Sequence, residues 1–146
     1  MEIKKIVVPV DFGKNTDKLV DYAMYFAKQL PADVSFCHVI EPFMTGDMMV
    51  GSPSLGDIEN ARRSDAEGRM ANLVEDNKAN NSNCKGEVLL GDIVDKIIGY
   101  AKDEYASLII IGTHGTKGLE RILLGSVAER VVKRSACPCL VMNPYK

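Results

Sequence analysis

The chain has 146 residues, 46% hydrophobic and 26% charged, with a formal net charge of −2. This is the composition of one globular domain, spanning residues 1–146, and it excludes collagen, coiled coil and extended disorder. No apolar run approaches the roughly 20 residues of a membrane helix, and a chain this close to neutral offers no global basic field for nucleic acid.

In chain order, residues 3–10, IKKIVVPV, predict a first strand that ends at Asp11-Phe12-Gly13. Its basic start is followed by too short an apolar run, without a small-residue cleavage site, to be a secretory signal, so a cytoplasmic location is expected. A helix is predicted from about Asn15 to Leu30, with Leu19, Ala23, Phe26, Ala27 and Leu30 at helical spacing and Asn15 or Thr16 as its cap. Pro31 stops it. Residues 33–40, DVSFCHVI, form a second strand, apolar on both faces as in a covered sheet.

Residues 41–57 break the rhythm with three glycines, two prolines and three methionines, and read as a long loop. A helix over 58–79 follows, with Ala61, Ala66, Met70, Leu73 and Val74 inward and the weakest periodicity of the four. Strand three runs from Cys84 to Leu90, and Gly91 turns the chain. Asp92 caps a third helix whose apolar face is Ile93, Val94, Ile97, Ile98 and Ala101. Strand four, Ser107 to Gly112, is fully apolar at its centre. After a glycine-containing connection over 113–124, a fourth helix from Ser126 to Arg134 points Val127, Ala128, Val131 and Val132 inward, and Pro138 to Met142 form strand five.

Strict alternation of apolar strands with helices implies an α/β fold, a parallel sheet flanked by four helices. Right-handed crossovers leave the strand orders 2-1-3-4-5 and 3-2-1-4-5 open. Either one puts a crevice at the carboxyl ends of the strands near strand 1.

Cysteines 37, 84, 137 and 139 have neither CxxC nor zinc spacing, and His38 and His114 are the only histidines. Buried reduced thiols and no protein-held metal are expected.

Three strand ends carry unusual residues: Asp11 after strand 1, Val39-Ile40-Glu41 at strand 2, and Gly112-Thr113-His114-Gly115 after strand 4. Gly125 and Ser126 open the fourth helix. Glycines let backbone N–H groups approach an anion, and a helix N-terminus adds unpaired N–H groups and the positive end of a dipole. Gly112 and Gly115 would be one wall of a phosphate cradle, and Gly125, Ser126 and Val127 the other. The plainer reading is that Ser126-Val127-Ala128-Glu129 is a capping box and that the glycines only turn the chain. Asp11 is likewise a ligand contact or a cap on the following turn, and the ligand role is favoured by the other elements that converge there. His38 reads as packed against a helix, Arg62 and Arg63 as surface charge, and Lys117 and Arg121 as phosphate screen or solvated face in equal measure. Met44, Met48 and Met49 read as part of the loop.

The spacing Gly112-x2-Gly115-x9-Gly125-Ser126, the opening IVVPVD, the segment CHVIEP and the closing LLGSVAERVVKRSACPCLVM together resemble the universal stress protein family over nearly the whole chain. The resemblance implies a five-stranded parallel sheet in the order 3-2-1-4-5. It implies binding of ATP or ADP, with adenine contacts at Asp11, near Pro9 and Val10, and at the backbone of Val39. Ribose and phosphate contacts would fall on Ile111, Gly112, His114, Gly115, Gly125, Ser126 and Val127. Magnesium or manganese would sit among the phosphates, and a homodimer would form through strand 5, about Cys137 to Asn143. The sequence departs from the family at Gly13-Lys14-Asn15, where serine is frequent, and at Thr113-His114, where many members carry arginine.

No Walker A motif and no carboxylate pair for metal and water activation is present, so the expected function is a regulatory ATP-binding module that signals to a partner. The alternative is a slow, partner-stimulated ATPase, with His114 as its nearest base. A phosphoacceptor receiver would need paired acids after strand 1 and a lysine after strand 5, where Asn143-Pro144-Tyr145 stands instead. A flavodoxin would need a Ser/Thr/Gly phosphate loop after strand 1.

Overall fold

The computed structural model describes residues 1–42, 55–113 and 125–144. Within them the order is β1 (Lys5–Pro9), α1 (Thr16–Gln29), β2 (Asp33–Ile40), α2 (Leu55–Asn77), β3 (Lys85–Leu90), α3 (Ile93–Asp103), β4 (Leu108–Gly112), α4 (Ser126–Arg134) and β5 (Cys139–Met142). The strands form one sheet in the order β3-β2-β1-β4-β5, and all four pairings are parallel. Of the two orders that alternation leaves open, the structure has the one the family resemblance implies.

The pleat sorts the core into two layers. Ile6 and Val8 of β1, with Val10 just after it, pack with Leu19, Val20, Ala23 and Ala27 of α1 and Met70 of α2. Val7 faces the other way, with Val94, Ile97, Tyr100, Ala128 and Val131 of α3 and α4. Alternate residues of one strand thus serve both faces, which is why these strands are apolar throughout rather than every second residue. The central strand is held at its start by Ser107: its Oγ accepts from the N–H groups of Lys4 and Lys5 at 2.9 and 3.0 Å, and its own N–H donates to the Lys5 carbonyl at 2.9 Å.

Several local expectations change. α2 begins at Leu55, inside the span read as loop, with Asp57 in its first turn, where the helix dipole favours an acid. The rest of that expected loop, including the methionines at 44, 48 and 49, lies in 43–54, outside the described residues. Ala66 and Met70 are buried and Leu73 and Val74 half-buried as expected, but Ala61 is exposed. Val132 is also exposed, because α4 is amphipathic around Ala128 and Val131 alone. α2 approaches β3 closely at Gly86, where an added Cβ would lie 2.8 Å from Met70 Cγ. Gly91 turns the chain after β3 at φ 147°, a conformation that side chains resist, and donates its N–H to the Ile40 carbonyl at 3.0 Å.

The end of α3 is a Schellman turn with an unusual occupant. Ala106 N–H reaches back to the Ala101 carbonyl at 2.9 Å and Tyr105 N–H to the Lys102 carbonyl at 3.1 Å. Tyr105 therefore sits in the left-handed region at φ 53°, with its side chain almost wholly in solvent. Glycine takes this conformation without the Cβ penalty. Tyr105→Gly is expected to raise stability by about 1 kcal/mol, visible as a higher melting temperature, while Tyr105→Ala leaves it unchanged.

Candidate functional site

At the carboxyl end of the sheet, between the α1/α2 and α3/α4 sides, lies a cavity of about 460 Å³. Its position follows from the strand order. β1 is central, its chain leaves to one side, and β4 enters on the other, so the connections diverge above it. Nine of the eleven sequence-predicted site residues line this cavity: Pro9, Val10 and Asp11 at and just beyond the end of β1, Val39 from β2, Ile111 and Gly112 from β4, and Gly125, Ser126 and Val127 at the mouth of α4. His114 and Gly115, like Lys117 and Arg121, lie in 114–124, outside the described residues.

Asp11 shapes the first wall. Its Oδ1 accepts from the Gly13 N–H at 2.8 Å and the Thr16 hydroxyl at 3.4 Å. The carboxylate therefore caps the turn into α1. Asn15, the N-cap by backbone position, makes no side-chain cap bond. Asp11 thus has the turn-capping role of the plainer reading and also faces the cavity.

At the opposite wall the capping-box reading of Ser126 fails. Gly125 is the N-cap of α4, and Glu129 N–H returns to the Gly125 carbonyl at 2.8 Å, so Ser126 is the first helical residue. No described side chain caps this helix end, and its first N–H groups open at the cavity. Because Ser126 does not cap, Ser126→Ala is expected to leave the melting temperature within about 1 °C, since no cap is lost. If its hydroxyl meets a ligand phosphate, the same change weakens ATP binding by about five- to tenfold, as for one lost hydrogen bond. Calorimetric titration beside a thermal melt reads both.

The cavity also takes in residues that sequence reasoning placed elsewhere. His38, read from the sequence as a packing residue, lines it as well. Its Nδ1 lies 2.8 Å from the Val10 carbonyl and its ring is 4.7 Å from that of Phe12, tilted by 47°. Phe12 itself is held at φ 57°. Arg62, read as surface charge, reaches from α2 to the Glu41 carbonyl at 3.3 Å and lines the same opening. Nothing local in the sequence marks either role, since both depend on where β2 and α2 end relative to β1. Cys37 lines the cavity too, and complete burial, reinforced by the Glu87 charge, pushes its thiol up from the ordinary value.

Against known proteins, the family model described as Universal stress protein family matches residues 2–143. Universal stress protein MJ0531 of Methanocaldococcus jannaschii is 34% identical over 148 residues, covering 98% of this chain and 84% of that protein. The solved structure of MJ0577, a universal stress protein of the same organism, superposes with a TM-score of 0.84 at 28% identity, over 98% of this chain and 97% of that one. The universal stress protein of Archaeoglobus fulgidus, solved in complex with dAMP, shares the fold at a TM-score of 0.65 and 21% identity, over 97% of this chain and 98% of that one. With the sheet order, the strand-end cavity and a family match over nearly the full length, the chain belongs to the universal stress protein family.

Proposed function

We propose that the cavity binds an adenine nucleotide, ATP or its product ADP, and that occupancy signals to a protein partner. The observation that carries this is the pairing of two walls. One is the N-terminus of α4 at Gly125-Ser126-Val127, which no side chain caps among the described residues and which is suited to phosphate. The other is the Pro9-Val10-Asp11 and Val39 wall, which combines apolar surface with main-chain donors and acceptors suited to a base. A fold neighbour solved with dAMP supports the class of ligand. His114 and Gly115 belong to the proposed phosphate site on the strength of the glycine spacing.

Magnesium or manganese would be carried by the phosphates. Among the described residues no cluster of three or more His, Cys, Asp or Glu forms a protein cage, and magnesium is commonly held through substrate phosphates with few protein ligands. A homodimer through β5, at the sheet edge, and a cytoplasmic location belong to the same proposal.

The test is to purify the protein, denature it and identify the released nucleotide by mass spectrometry. ATP or ADP near one per chain supports the reading. An empty protein that also fails to bind ATP with magnesium at about millimolar concentration overturns it, since that corresponds to only about 4 kcal/mol of affinity. The alternative of a slow ATPase is read from the same sample as conversion of ATP to ADP over time, with and without partner.

A further inference from the structure

The end of β1 contains an irregularity with a direction. Val10 N–H donates to the Cys37 carbonyl at 2.8 Å, so β1 and β2 are still in register there. In a regular parallel ladder the Val10 carbonyl would next accept from the Val39 N–H. It accepts instead from the His38 side chain, with Nδ1 at 2.8 Å. A carbonyl only accepts, so Nδ1 carries the hydrogen. Pairing of β1 with β2 stops at Pro9–Cys37, and among the described residues no main-chain bond joins Val39 N–H to Val10.

Main-chain groups alternate in direction along a strand. The Cys37 carbonyl points toward β1, where it meets Val10, and the Ile40 carbonyl points toward β3, where it meets Gly91. The Val39 N–H and C=O therefore point toward β1, past its last paired residue. Val39 is one of the residues lining the cavity there.

We infer that His38 is a positioning residue for the base-binding wall. By supplying the donor that Val10 would otherwise take from Val39, it releases the Val39 N–H and C=O from the ladder and presents them to the ligand. The inference deepens the proposed adenine-nucleotide site and rests on that reading for its effect on affinity. Phe12 reinforces the arrangement. Its ring packs on the imidazole, and its left-handed backbone turns the chain away immediately after Asp11, so no further β1 residue covers Val39. Loss of the imidazole donor leaves the Val39 N–H as the ladder partner of the Val10 carbonyl, and pairing there closes the wall.

The experiment compares the full chain with His38→Asn, His38→Gln and His38→Leu. Asn places its Nδ2–H close to the position of histidine Nδ1, whereas Gln displaces the donor and Leu has none. ATP affinity with magnesium is expected within about threefold of the parent for Asn and at least about tenfold weaker for Gln and Leu. Amide hydrogen exchange supplies a readout that lost packing alone would not move. In the nucleotide-free parent the Val39 amide exchanges much faster than the neighbouring β2 amides, and in His38→Leu, or in His38→Gln if the leucine variant does not fold, it becomes protected. Parent-like ATP affinity in Gln and Leu, or a Val39 amide as protected as its neighbours in the parent, overturns the inference. If the parent does not bind ATP, the proposed function falls, and the Val39 exchange rates alone decide whether His38 releases the strand.

Discussion

Gly125→Asp is expected to raise thermal stability slightly while weakening ATP binding by at least about a hundredfold, as a fixed anion takes the phosphate position. The two effects have one cause. Gly125 is the N-cap of α4, with φ −58° and ψ 148°, a conformation any residue adopts. An aspartate there accepts from the N–H groups of the first turn and favours the helix by a few tenths of a kcal/mol over glycine. The same N–H groups are the ones proposed to hold phosphate. The side chain therefore satisfies them and repels the ligand together. Thermal melts and nucleotide titration on one preparation read both signs. Parent-like ATP affinity in this variant would move the phosphates away from α4. Loss of binding together with a lower melting temperature would point to a damaged fold rather than a filled site.

Glu104→Ala is expected to cost about 2 kcal/mol, or about 5 °C in melting temperature, without changing the cavity. Glu104 caps the end of α3, and its carboxylate reaches under the amino ends of three strands. Oε1 lies 2.8 Å from Lys85 Nζ, and Oε2 accepts from the Ser35 hydroxyl at 3.3 Å, with Lys5 Nζ at 3.8 Å. Glu104 is only 15% exposed while Lys85 is 54% exposed, so solvent screens part of the attraction and the cost stays below that of breaking a fully buried pair. Ser35 is wholly buried and loses an acceptor in the variant. Glu104→Gln keeps an acceptor for Ser35 without the charge and should recover about half of the loss.

Tyr100, beside this cluster, reports on it through pH. Burial first, and the Glu104 charge second, push its phenol up from the ordinary value. The folded protein therefore keeps a proton that the unfolded chain releases. This contribution is fully present below about pH 10 and is lost as pH rises toward the folded value. A urea-melt series read on either side of about pH 10 shows it as falling stability.

Helices α1, α3 and α4 and the apolar strands β2 and β4 were legible because burial on both sheet faces and an amphipathic period leave strong local marks. The cavity residues were legible for a different reason: glycines at fixed spacing and an acid at a strand end are costly in a sheet protein unless the backbone needs them. The beginning of α2 was not legible. Leu55-Gly56-Asp57 has no periodic apolar residue, and the helix is anchored only farther on, by Ala66 and Met70. The capping-box alternative for Ser126 looked plausible because S-x-x-E fits a capping box whichever residue starts the helix, and one position of shift removes the cap. His38 and Arg62 depend on contacts 28 and 21 residues away along the chain. No local pattern encodes such distances. Strand order belongs to the same class, since alternation of elements does not say on which side of β1 the third strand lies.

The pairing of β1 with β4 has a consequence for synthesis. Ser107 meets Lys4 and Lys5 across 103 and 102 residues of chain. During translation, β1 can therefore acquire β2 as a neighbour early, yet its other edge has no partner until β4 has left the ribosome. For most of that interval an apolar strand, later buried on every side, presents an open edge beside a half-built core. The nascent amino-terminal half is thus the stage most exposed to wrong pairing. The seam between β1 and β4 closes only through contacts about 100 residues apart in the chain, non-local pairing of the kind that slows folding.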